Sequence, residues 1–214
     1  MLYLPAHFEQ ADEALMHRLL ADFPLGLLVT LGGGGLSANH IPFVFEPGAG
    51  EQGRLIGHVA RNNDVWRDHD PATEALVVFQ SANAYISPNW YPSKAETHKA
   101  VPTWNYAVVH VYGPLIVRDD EKWVRGQAGK LVKIHEAAQP VPWKMADAPR
   151  EYTEMMLSNI VGIEIPVTRM IGKWKANQNR DPADRESVAA NLAATGSPEN
   201  AAMAAVMAEV IGRP

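Results

Sequence analysis

The stretch "VPTWNYAVVHVYG", Val101 to Gly113, decides the fold. Side chains on a strand alternate between two faces, and here the two faces differ. Ala107, Val109 and Val111 make a small apolar face. Trp104, Tyr106, Val108, His110 and Tyr112 make a bulky one, with polar tips and an imidazole. So much aromatic surface is poorly matched to water, which points to a ligand or a second subunit lying against it.

Working outward, the same kind of run recurs. "LGLLVTL" (25–31) reads as a buried strand, and "GGGG" (32–35) as the hairpin turn leading into "LSANHIPFVFE". A phosphate-cradling loop is excluded at the four glycines, because no lysine or helix start follows in P-loop fashion. "RLIGHVA", "ALVVFQS" with "NAYIS", "WNYAVVHVYGPLIVR" and "IVGIEIPVTRMIGKWK" complete an expectation of five to seven strands. "DEALMHRLLADF" (12–23) predicts an amphipathic helix, with Asp12 as N-cap and Pro24 ending it. One long helical insertion is expected over Asp119 to Ala138. No strand–helix–strand rhythm appears, so the predicted fold is a mainly β, antiparallel barrel with flanking helices.

The chain has 214 residues, no cysteine and a net charge of −5. Disulfides, thiolate nucleophiles and cysteine metal sites are thereby excluded. No global charge draws the chain to nucleic acid or to an anionic membrane. The N-terminal stretch shows no signal peptide and no apolar run is long enough to span a bilayer, so a soluble cytoplasmic protein is expected. The alanine-rich tail from Asp181 to Pro214 predicts two helices split by "GSP". Five acids (Asp181, Asp184, Glu186, Glu199, Glu209) against Arg185 and Arg213 make it a poor reader of DNA. Its expected role is docking onto the barrel or a partner.

No histidine pattern suggests a metal, and no serine-nucleophile motif occurs. Three segments remain as candidate sites. In "GHVARNND" a strand ends near Ala60, and Arg61, Asn62 and Asn63 lead into a short helix with Trp66. They would suit a phosphate monoester, or simply a capped turn. "AYISPNWYPSK" is a proline-stiffened loop showing Trp90 and Tyr91, with Trp104 just beyond. It suits a planar ligand, an interface or aromatic core. "GKWKANQNRDPADR" gathers Lys173, Lys175, Gln178 and Arg180 after a strand. It suits a phosphate, a flavin edge, a nucleic acid backbone or a solvated turn.

Together these motifs resemble the PaiB-type family, the FMN-binding negative transcriptional regulators. The likeness runs through "LYLPAHF", "SANHIPF", "LIGHVARNN", "AYISPNWYPSK", "VPTWNYAVVHVYG", "IVGIEI" and "NQNRDPADR", to about Leu192. Where that family usually shows SPSW and LSQNR, Asn89 and Ala176-Asn177 depart from it. The resemblance implies a homodimeric split β-barrel, related to pyridoxamine-phosphate oxidases and flavin reductases, with flavin between subunits. It implies an FMN-binding domain over residues 1–180 and a helical extension over 181–214. Arg61, Asn62 and Asn63 would hold the FMN phosphate, and Asn39, His40 and His58 would line the flavin. Trp90, Trp104, Asn105, Gln178 and Arg180 would close the site, some from the partner chain.

The implied role is repression, acting on promoter DNA through a local patch (Arg169, Lys173, Lys175, Arg180) or indirectly. A flavin-dependent oxidoreductase is the alternative, with His40, His58 and His110 as proton-transfer candidates and no catalytic residue assigned. Haem in place of flavin is a further reading, with histidine as its axial ligand.

Overall fold

A computed structural model of the chain describes residues 2–211. Arg213, counted in the acidic tail, lies outside them. The described residues form strands β1 (Glu9–Gln10), β2 (Leu25–Gly32), β3 (Gly35–Pro42), β4 (Val44–Glu46) and β5 (Arg54–Ala60). They continue with β6 (Ala75–Ile86), β7 (Thr103–Gly113), β8 (Ile116–Arg118), β9 (Ile160–Pro166) and β10 (Arg169–Lys175). The helices are α1 (Glu13–Asp22), α2 (Ser93–Thr97), α3 (Glu121–Glu136), α4 (Arg150–Ser158), α5 (Pro182–Ala194) and α6 (Pro198–Ile211). This is the antiparallel, helix-flanked β architecture that the sequence predicts, split between two sheets.

The described residues fall into two compact units. One comes from the segments Met1–Met16, Gln80–Val109 and Ile171–Pro214, the other from His17–Phe79 and His110–Met170. Strands β6 and β7 each pass from one unit into the other.

In the second unit, β2 and β3 form the glycine hairpin, with Gly32 opposite Gly35. Gly35 takes φ +100°, which a side chain resists, and the Gly33 N–H donates to Asp68 at 2.8 Å. The run "LSANHIPFVFE" is not one strand. Pro42 has no N–H for a ladder, and the chain breaks at Phe43, whose N–H donates to the Pro24 carbonyl instead. β3 therefore stays beside β2, while β4 joins the other sheet, ordered β4-β5-β9-β8. Leu28, Leu55, Val77, Phe79, Val111, Val161, Ile163 and Ile165 are fully buried between them. On β9 the alternate positions are also covered. Gly162 recedes beneath the Trp123 ring of α3, and the buried Glu164 accepts hydrogen bonds from Arg54 and Arg118.

In the first unit the strand order is β1-β10-β7-β6. Helices α5 and α6 cover it with Val188, Leu192, Met203 and Met207, packed on Ala84, Ile86, Tyr91 and Ala176. Burial of each such large side chain stabilises the fold by roughly 1.5–3 kcal/mol.

Ten strands exceed the five to seven expected, because three are only two or three residues long and three long runs divide. α4 and α2 were not anticipated. α4 is amphipathic at helical spacing, with Leu157 buried and Met155 and Met156 facing water, so a helical signal was present in its sequence.

Candidate functional site

The two faces of β7 differ as the alternation predicts. Asn105, Ala107, Val109 and Val111 are fully buried, while Trp104 is 54% exposed and Tyr106, His110 and Tyr112 are half-buried; Val108, expected on that second face, is buried instead. The hairpin has a comparable open face. Leu25, Leu31 and Leu36 are exposed along it, and His40 stands on it opposite Leu27.

In the second unit, Asn63 is the hub of the turn after β5. Its Oδ1 accepts from the Val65 N–H, capping the short helix Asp64–Trp66, and its Nδ2 donates to Asn39 Oδ1 at 2.8 Å. Asn39 in turn donates to Ser37 Oγ at 3.2 Å. Asn39 and Asn63 are thus brought together, with Asn62 exposed beside them. Arg61 is differently engaged. It makes a two-point pair with Asp119 at 2.6 and 3.0 Å and donates to the Ser158 and Ile160 carbonyls. Four of the guanidinium's five N–H groups are thereby used. The hydrogen bonds from Arg61 hold the Asp119 carboxyl below the usual carboxylate range. The cavity of about 630 Å³ that both residues line also includes Arg150, itself paired with Glu154.

A cation that sequence reasoning missed lies one turn on. Arg67 is half in solvent and stacks on Trp66 at 4.0 Å, with Asp64 at a loose 3.9 Å. The signal was present as an arginine directly after the tryptophan of a short helix. His58 belongs to other surroundings. Its Nδ1 meets Gln127 Oε1 of α3 at 2.7 Å.

In the first unit, Trp104 lies edge-to-face against Tyr85, with ring centroids 6.1 Å apart. Trp90 is partly buried against the α5–α6 core. Asn105 is enclosed beneath α6, donating from Nδ2 to the Met207 sulfur while its Oδ1 has no partner. Gln178 is turned back on its own loop, accepting from the Ala176 N–H and donating to the Trp174 carbonyl. Arg180 lies over the Tyr91 ring at 4.8 Å, and burial pushes the Tyr91 phenol up. Lys173 and Lys175 share one face of β10. Lys173 donates to the Tyr3 carbonyl and faces the rings of Tyr3 and Tyr106, and Lys175 donates to Thr103 and to the Trp104 carbonyl. Neither has a carboxylate partner among the described residues. Burial, and then the neighbouring Lys173, push the Lys175 ammonium down.

Chemically, then, each unit offers an amide or aromatic surface beside a cation: Arg67, loosely paired with Asp64, in one, and Lys175, without a carboxylate partner among the described residues, in the other. That donor set fits a planar cofactor carrying phosphate. No helix among the described residues is long and apolar enough to cross a membrane.

The fold is that of split-barrel flavin-binding proteins. Residues 2–169 match the family described as "Putative FMN-binding domain", and the chain belongs to that family. It is 38% identical over 158 residues to a Saccharomyces cerevisiae protein named "Uncharacterized protein YKL070W", covering 65% of this chain and 93% of that one. It is 29% identical to the Bacillus subtilis "Protease synthase and sporulation protein PAI 2", covering 96% of each. Among solved structures, it resembles the FAD and haem binding protein of Mycobacterium smegmatis. The TM-score is 0.57 and the identity 14%, over 88% of this chain and 80% of that one.

Proposed function

We propose that this chain is a dimeric, cytoplasmic FMN-binding regulator of the PaiB kind, with an FMN-binding domain over residues 1–180 and a helical extension over 181–214. Membership of an FMN-binding-domain family carries the reading. When bound, FMN supplies redox chemistry at its ring, and the protein supplies binding, orientation and electrostatics. In the second unit Asn39, Asn62 and Asn63 present amides to a polar ring edge, and His40, on the opposite face of the hairpin, would shield a ring held by a second copy. Arg67 meets the phosphate. Arg61 would do so only by giving up Asp119, so its role here is to fix the turn. In the first unit Trp104 offers a ring to stack on, and the half-buried Lys175 offers a second anion contact. These two sets are proposed separately. The open faces of β7 and the hairpin are the surfaces that a second copy of the chain would cover.

Regulation is assigned to contacts of the dimer with a protein or small molecule rather than to a basic DNA patch. Lys173 is only 5% exposed and Arg169 stacks on Tyr112 at 3.8 Å, so the expected patch presents no free row of cations.

The deciding experiment is the visible absorbance of purified protein, gel-filtered after addition of FMN. A flavin spectrum co-eluting with protein is expected, and Arg67→Ala lowers its amplitude. Protein that elutes colourless would remove the cofactor from the proposal, and a Soret band would replace it with haem. Steady nicotinamide turnover with FMN present would make the chain an oxidoreductase instead.

A further inference from the structure

Helices α3 and α4 and the linker between them line an open cavity of about 370 Å³ in the second unit. Its walls include His58, Trp143, Met145, Tyr152, Thr153 and Met156, and no lysine, arginine, aspartate or glutamate lines it. A phosphate entering it would find no cation, so this is not a place for FMN. Large apolar side chains are nevertheless left to water at its rim. Trp143 is 44% exposed, Tyr152 52% and Met156 47%.

One polar pair, His58 backed by Gln127, gives the cavity chemical selectivity. The buried Gln127 points its amide oxygen at His58 Nδ1, 2.7 Å away. With that oxygen as acceptor, the neutral ring is assigned its proton on Nδ1, which leaves Nε2 as an acceptor, while Gln127 Nε2 has no partner. An apolar cleft with a placed polar group is the usual make-up of a small-molecule site.

We infer that this cavity binds a small, uncharged, planar aromatic molecule bearing one O–H or N–H donor, which His58 Nε2 accepts. The rings of Trp143 and Tyr152 cover its faces, and the methionines adapt to its edge. The inference is independent of FMN, since the cavity shares no residue with Asn39, Asn63 or Arg67.

The test is calorimetric titration of the full chain with 2-naphthol and with 2-methoxynaphthalene, which has the same shape without the donor. One 2-naphthol per chain is expected, with the ether binding at least tenfold more weakly. His58→Phe should bring the two probes to equal affinity. Ala128→Phe, which fills the cavity from α3, should abolish binding and leave FMN retention as it was. Absence of saturable binding, or 2-naphthol binding undiminished in Ala128→Phe, overturns the site. An amide-shift map of the unmutated chain covers the case in which Ala128→Phe fails to fold. Shifts on addition of 2-naphthol must centre on residues 128–157 and His58, and shifts centred elsewhere overturn the inference.

Discussion

Arg61 and Arg67 stand six residues apart and are separated in role by what already holds them. Arg61 ties the β5 turn to Asp119 and to the carbonyls of Ser158 and Ile160. Arg61→Ala is therefore expected to lower the melting temperature with little change in FMN affinity, whereas Arg67→Ala lowers FMN affinity at unchanged melting temperature. Paired thermal melts and FMN titrations of the two variants check this. Asn105 gives a second contrast. Its unpaired Oδ1 carries a desolvation penalty of about 1–3 kcal/mol, so Asn105→Leu should be neutral or stabilising in urea unfolding. Loss of FMN retention in that variant would return Asn105 to the cofactor site. The residue types of such a site were legible in the sequence, since amides, arginines and tryptophans stand out by composition. Their occupancy was not. That Arg61 is spent on Asp119, 58 residues on, or Asn105 on Met207, 102 residues on, is a long-range fact that no local spacing encodes.

Elements were legible where burial is one-sided. The alternation on β7 and the glycine hairpin are written locally, as is the start of α1, where Asp12 Oδ1 accepts from the Ala14 and Leu15 N–H groups. The break at Phe43 was not, because it is decided by which sheet the segment meets later. Gly113 shows how tight those meetings are. A Cβ there would stand 2.0 Å from the Pro166 carbonyl oxygen, so Gly113→Ala should cost about 1–3 kcal/mol in urea unfolding. The β4–β5 edge has an acid-sensitive counterpart. Burial pushes the Glu46 carboxyl up, but hydrogen bonds from Lys130 and Arg54 outweigh it and leave the group below its ordinary 4.5. The folded state then binds fewer protons than the unfolded one, so the contribution is complete above pH 4.5 and is lost as pH falls through the lowered value. Glu46→Gln should flatten stability against pH across that window.

For the whole molecule, the dimer proposal makes a quaternary prediction. Light scattering should report two chains, and Trp104→Ala combined with Leu36→Glu should yield monomers, since both side chains lie on open strand faces. A dimer that survives both changes places the contact elsewhere. α6 sets a different limit. Met203 and Met207 are wholly enclosed, and replacing either with alanine should cost about 2–5 kcal/mol. Their thioethers also have a use that needs no mutation. Peroxide converts an accessible methionine to its sulfoxide, and here it reaches these two only when α6 lifts, while Met155 and Met156 lie open to it throughout. The ratio of the two oxidation rates, read by peptide mass, is therefore a stopwatch for the opening of the C-terminal helix, with its own reference hand already ticking on α4.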